Sequence, residues 1–341
     1  MFGISLGKKK KEKIVPQVKR GNGGNNIIEK TVHDTGKKKA PGKQESVFTD
    51  FSSVITGSLS GGNVPSQVRD PGKRQRVIAI AAIISVLLFV IRVWGSSDWV
   101  FWGAVYVAVG AALLTYVGLI WAFRFQLNRR GYTVVLPQPA MYAFSAVLFV
   151  EIFFFQEFER IYESLIFGLL LLALFVSLVT SFLTANVLNV ATIKKIPLIR
   201  VAHTSSYIIS LLITYFISFS AITSGLDVWF LIPILAVTYL VVCGLHLAHF
   251  PLIRSYLIWY SVGIALSAVM LVSAFLFWPL SALMVALIPT VVIYVGLGII
   301  MHKLDKTLNS RLGWEFGILI GVVLVLFAIR AKWGIGGYFW S

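Results

Sequence analysis

The chain has 341 residues, 57% of them hydrophobic and only 13% charged, with a mean hydropathy of +0.84. Soluble domains carry roughly a quarter charged residues, so this composition excludes an ordinary soluble enzyme or binding module and predicts an all-α polytopic membrane protein. The formal charge of +16 is unevenly placed: residues 1–76 hold 16 Lys/Arg against 6 Asp/Glu and residues 77–341 hold 14 against 8, so the two parts address different solvents.

In residues 1–76 the short apolar stretch Met1 to Leu6 precedes the run Lys8 to Lys11, the reverse of a secretory signal, and Gly stands at position 3 rather than 2; neither cleavage nor myristoylation is expected. Residues 16–46 are dominated by Gly, Asn, Ser, Lys and Pro and offer too little apolar surface to offset ordering entropy, so a disordered polybasic cytoplasmic tail is expected. Its basic clusters (Lys8 to Lys13, Lys37 to Lys39, and Arg69 with Lys73, Arg74 and Arg76) suit anionic lipid headgroups, at about 1 kcal/mol per charge near a membrane surface. A cytoplasmic protein partner is the alternative. Specific nucleic-acid binding is not expected, because no aromatic residues interleave the lysines as stacking platforms. Val47, Phe48, Phe51, Val54 and Ile55 fall at helical spacing before Gly57, which predicts a short amphipathic helix at 47–57 that forms on a surface or partner.

Residues 77–341 read as a transmembrane helical domain. A span needs about 20 mainly apolar residues, and nine segments qualify: 77–95, 99–123, 139–156, 164–187, 202–222, 228–248, 255–277, 280–301 and 313–331. They group as four hairpins plus a final helix. The loops after even-numbered spans carry the cations, among them Arg124, Arg129, Arg130, Lys194, Lys195, Lys303, Lys306 and Arg311, while those after odd-numbered spans carry Asp98, Glu157, Glu159, Glu163 and Asp227 with one cation, Arg160. Cationic loops stay in the cytoplasm, so the expectation is a multi-pass plasma-membrane protein with its N-terminus inside and its C-terminus outside, Arg330 and Lys332 being the exception at the last end. Trp94, Trp99, Trp102, Trp229, Trp278, Trp333 and Trp340 fall at the outer ends under this topology, as an interfacial belt does.

The phrase Pro-Leu-Ile-Arg occurs at 197–200 and again at 251–254, each time opening an apolar segment whose returning partner carries Leu-Ile-Pro, at Pro233 and Pro289. Two explanations are open, an internal duplication of a hairpin or convergent helix-start chemistry. Either way Pro is expected in the first helical turn, with Arg about one turn later, snorkelling to headgroups. Pro233 and Pro289 are expected to kink spans six and eight.

Glu151 is the only carboxylate well inside a span, and a charged acid there must be protonated, paired or facing water. Arg92 lies at similar depth and is the natural partner. The outer-face acids Asp98, Glu157, Glu159, Glu163 and Asp227 would make an acidic mouth, although no spacing among them fixes an acid/base pair. Two polar stripes, Ser177, Thr180, Ser181 and Thr184 on span four and Tyr207, Ser210, Thr214 and Ser218 on span five, suit either helix packing or a polar groove. His203, His246, His249 and His302 gather at inner helix ends; interfacial capping accounts for them better than a metal site, for which the usual carboxylate ligand is missing nearby except for Asp305. Cys243, the only cysteine, reads as a buried thiol, so no disulfide forms within the chain. No phosphate loop, zinc-protease motif or nucleophile elbow occurs, and no cofactor is expected.

Three functions fit this pattern. The first is a non-enzymatic membrane component, either a scaffold or assembly subunit recruiting through its tail or a permease-like carrier. The second is a membrane enzyme acting on a lipid-linked or outer-face substrate with Glu151 and the outer acids. The third is a proton-coupled transporter with Glu151 as the titrating group.

Overall fold

The computed structural model describes residues 71–94, 101–123, 127, 131–155, 162–191, 199–250, 252–278, 280–304 and 310–331. Residues 1–70 of the tail, with the helix expected at 47–57, Asp98, Glu157, Glu159, Asp305 and the side chains of Arg92 and Glu163 lie outside the described residues. Among the described residues the structure is helical, with no strand: α1 (Pro71–Trp94), α2 (Phe101–Ala122), a π-turn (Gly131–Val135), α3 (Pro137–Phe155), α4 (Tyr162–Ala191), α5 (Ile199–Thr223), α6 (Val228–Leu247), α7 (Arg254–Phe275), α8 (Ala282–Leu304) and α9 (Ser310–Arg330). All nine α-helices contain windows long and apolar enough to cross a membrane. In hydrocarbon a backbone must satisfy its own hydrogen bonds, which leaves helices as the form these apolar segments adopt. The protein is a multi-pass membrane protein.

Several boundaries differ instructively from those read off the sequence. The first helix begins at Pro71 rather than 77, taking in residues assigned to the tail. Proline tolerates a first helical position, where its missing N–H would be unpaired anyway. The basic residues that follow then lie on the helix, and Arg76 sits 5.5 Å over the ring of Trp121 on α2. The two Pro-Leu-Ile-Arg copies also diverge. In the first, Ile199 and Arg200 are already helical; in the second, Ile253 is the extended N-cap and Arg254 the first residue of α7, so Pro251 precedes the helix and the arginine is not one turn inside it. Phe250, nearly buried, and the bond from Leu252 N–H to the Phe250 carbonyl hold that chain entry as a tight turn. Pro233 and Pro289 both lie inside helices, but Pro233 is exposed and Pro289 buried.

Burial is unequal. In α3 and α5, 67% and 56% of the span is buried, against 44% for α8, 33% or less for the others and 11% for α9. Close approach to α3 comes from small residues on α2: Ala104, Ala108, Ala111 and Thr115 recur at three- and four-residue spacing and are all buried. Such seams let helix backbones approach where lipid gives no hydrophobic drive. Packing therefore does not follow the sequential hairpins alone, because α2 against α3 and α6 against α7 are among the most extensive interfaces and α5 touches α3, α4, α6 and α8. One apolar cluster is built mainly from α1 to α5 and a second from the end of α5 through α9. Phe149 and Phe153 of α3 stack with Phe216 and Phe219 of α5 at 4.6–6.2 Å in the first. Tryptophans mark both membrane levels: Trp102, Trp229 and Trp278 stand exposed at one end of their helices and Trp121, Trp259 and Trp314 at the other.

The last helix is only lightly packed against the bundle. Phe316 packs against Gly298 of α8 and meets Tyr294 edge-on at 5.6 Å, and Phe327 meets Phe275 of α7 edge-on at 5.8 Å. A side chain at Gly298 would bring its Cβ within 2.8 Å of the Phe316 ring. Gly298→Val is accordingly expected to expel Phe316 and destabilise the protein by about 1–3 kcal/mol. Thermal unfolding in detergent measures this, and an unchanged midpoint would mean that Phe316 is not a fixed post.

Candidate functional site

A densely connected polar group among the described residues lies at the end of the bundle from which α3 and α5 start. Gln138, on the first turn of α3, is buried and uses every hydrogen-bonding position of its amide. Its Nε2 donates to the Ser206 carbonyl at 2.8 Å and to Ser210 Oγ at 3.1 Å, while its Oε1 lies 2.9 Å from Ser206 Oγ and 3.0 Å from His249 Nε2. The opposite amide orientation would set two oxygens against each other at the Ser206 carbonyl, so this partner set fixes which atom is which.

His246, on the last turn of α6, is fully buried. Its Nδ1 is 3.3 Å from Ser206 Oγ and its Nε2 is 3.5 Å from the sulfur of Met301 on α8. The rings of Tyr207 and Phe250 flank it at 5.7 and 5.8 Å, and His203 packs on the other side of Phe250 at 4.6 Å. The Ser206 hydroxyl has one proton and two acceptors in reach. Donating it to Gln138 Oε1, at 2.9 Å, leaves the hydroxyl oxygen to accept from His246 Nδ1–H, with Nε2 bare toward Met301; donating it to His246 would set two acceptor oxygens against each other at Gln138, so these contacts favour the first arrangement.

From this junction a line of hydroxyls runs along α5. Ser206, Ser210, Thr214 and Ser218 recur every fourth residue and are all buried. Ser210 donates to the Ser206 carbonyl at 3.0 Å, Thr214 to that of Ser210 at 2.9 Å, and Ser218 to that of Thr214, while Ser218 also bonds the Tyr239 hydroxyl of α6 at 2.8 Å. Bonding back to the preceding turn satisfies a hydroxyl in hydrocarbon without another helix. Tyr207 leaves the line and donates to the Tyr294 carbonyl of α8 at 2.6 Å.

The remaining candidates are dispersed. On α4, Ser181 and Thr184 are buried, but Thr180 is exposed, and Ser177, Thr180 and Thr184 bond carbonyls of their own helix, so the α4 stripe is not one continuous polar face. Glu151 is 8% exposed, four residues before the end of α3, in the most enclosed span. Thirteen residues separate it from Gln138, about 20 Å along the helix. Arg92 closes α1, and its pairing with Glu151 falls outside the described side chains. Asp227 is the exposed N-cap of α6, where its charge suits the helix dipole; its backbone carbonyl, not its carboxylate, takes the first N–H groups. Of the outer acids it alone has a described side chain. Cys243 is a buried free thiol.

No protein family, curated protein or solved structure matches the chain. What the site can do therefore follows from its own chemistry. Ser206 and His246 have the composition of a nucleophile and base, but Ser206 is fully buried and no carboxylate stands against His246 among the described residues to orient it as a triad base. Nor do three or more His, Cys, Asp or Glu side chains there gather as a cation cage. His302, half-buried on the last turn of α8, lies on a different helix from the other three imidazoles, which belong to the start of α5 and the end of α6. The arrangement joins α3, α5 and the end of α6 by buried hydrogen bonds, and the α5 hydroxyls donate to carbonyls of their own helix rather than to one another.

Sequence reading found the histidines and the hydroxyl stripe of α5 but missed Gln138 and Ser206. The Pro137-Gln138-Pro139 setting reads as a loop because two prolines flank the glutamine, and only the first-turn tolerance for proline makes it helical. Ser206 was discoverable, since it continues the four-residue spacing of the stripe one step toward the helix start.

Proposed function

We propose that the chain is a permease-like carrier of the plasma membrane for a small polar solute, with its N-terminus in the cytoplasm and its C-terminus outside. The observation that supports this is where polar side chains are buried: of the fourteen buried polar or charged residues among those described, eight belong to α3 and α5, the two most enclosed helices. A scaffold needs its recognition groups on its surface, whereas a carrier needs them between its central helices. Polar groups in a membrane interior are costly and mark solute or proton pathways. The alternating charge of the connecting loops supports the orientation.

Proton coupling through Glu151 is the second reading, and the burial of that carboxylate in α3 favours it. The carrier reading is tested with the full chain in proteoliposomes, following osmotic re-swelling by light scattering with glycerol, urea and alanine as probe solutes. At least one probe is expected to enter faster than into protein-free vesicles, and Thr214→Leu, which removes a hydroxyl from the middle of the line, is expected to slow it. Entry equal to that of empty vesicles for all three, together with partner capture that depends on residues 1–60, would favour the scaffold instead.

A further inference from the structure

Between α7, α8 and α9 lies an apolar cleft of about 480 Å³, bordered by Gly263, Ser267 and Leu271 of α7, Gly296 of α8, and Ile320 and Phe327 of α9. It lies where α9, only lightly buried, meets α7 and α8 through Phe316, Val323 and Phe327. Gly263 opens onto it, since a Cβ there would meet no atom within 4 Å, while Gly296 faces Ile264 so closely that the floor is packed shut. The same faces of α7 and α8 continue to the end of the bundle where α7 starts. There a second recess, of about 270 Å³, is lined by Tyr256, Tyr260 and Lys303, with Lys303 Nζ 3.3 Å from the Tyr260 hydroxyl. The first turn of α7 beside it has no side-chain cap on its N–H groups, and Arg254 is exposed there.

We propose that these two recesses form one binding site for an anionic phospholipid, its phosphate held at Lys303, the Tyr260 hydroxyl and the open first turn of α7, and one acyl chain lying in the cleft beneath α9. Charge selects the headgroup: a lysine and a tyrosine hydroxyl both donate, and an uncapped helix start adds backbone donors that favour a phosphate. Length selects the chain. From Tyr260 to Leu271 is eleven residues, about 16 Å along α7, close to the ~15 Å depth of one leaflet's hydrocarbon. A second protein helix fits less well, because the cleft is already bounded on one side by α9 and ends in a polar mouth rather than continuing as an apolar seam.

Native mass spectrometry of the full chain in mild detergent tests the site, titrating phosphatidylglycerol against phosphatidylcholine of the same acyl composition. The expected result is preferential retention of one phosphatidylglycerol. Lys303→Gln should weaken it about fivefold, the loss of one surface cation's attraction, and Gly263→Phe, which fills the cleft, should reduce retention of both lipids. Replacing Lys37, Lys38 and Lys39 by Gln controls for the basic tail and should leave this first lipid in place. Should Gly263→Phe fail to fold, Lys303→Gln and Tyr260→Phe decide the headgroup contact on their own. Wild-type retention in the Lys303 and Gly263 variants overturns the proposal, as does a dimer that Gly263→Phe dissolves while lipid retention is unchanged.

Discussion

Gln138→Leu is expected to lower the stability of the protein by about 1–3 kcal/mol, the scale for leaving buried partners unsatisfied. Leucine fills a similar volume but cannot replace any of the four bonds, so the Ser206 and His249 groups that face the amide lose their partner inside the bundle. Thermal unfolding in detergent, read by far-UV circular dichroism, measures the loss. Ser206→Ala should cost less, because it deletes a hydroxyl and leaves Gln138 with its bonds to Ser210 and the Ser206 carbonyl. The double variant separates coupling from addition: the two residues touch, so their effects should not add. A change within about 0.5 kcal/mol for Gln138→Leu would match an ordinary surface position and contradict the junction described above.

Glu151→Gln and Glu151→Lys should part company sharply. Glutamine keeps the shape and removes the charge, so the variant is expected to fold with unchanged helix content while any acceleration of solute entry by an imposed proton gradient disappears. Lysine puts a fixed cation into the most enclosed helix, four residues from its end, where the cost lies below the about 3 kcal/mol of a span centre, and is expected to lower the yield of folded protein by size-exclusion chromatography. Proton-dependent entry that survives Glu151→Gln would rule Glu151 out as the coupling group and leave the carrier reading itself standing.

The spans were legible in the sequence because the membrane imposes a length and a composition on every crossing helix. All nine expected segments overlap observed helices, and the differences are a few residues at the ends. The side-by-side order of the helices was not legible, for a physical reason: lipid tails and protein interior are equally apolar, so hydrophobicity does not tell which face of a span meets protein. Small residues carry part of that information, and the alanine series on α2 is an example. The site was half legible. Ser210, Thr214 and Ser218 announced themselves by spacing and His246 and His249 by type, but the meeting of Ser210 and His249 with Gln138, 72 and 111 positions away in sequence, is a property of packing. The repeated Pro-Leu-Ile-Arg phrase misled in its detail, since the second copy puts Arg254 at the first residue of α7 rather than a turn inside it.

The light burial of α9 has a mechanical corollary. Helices wedged among neighbours have their tilt set by those neighbours, whereas only 11% of the α9 span is buried. That eighteen-residue span is about 27 Å long upright, a little short of a typical ~30 Å hydrocarbon layer. A span that short gains no reach by leaning, so in a thicker bilayer the mismatch at α9 falls on the lipid around it, which thins, and on flanking side chains such as Arg330 reaching for the headgroups.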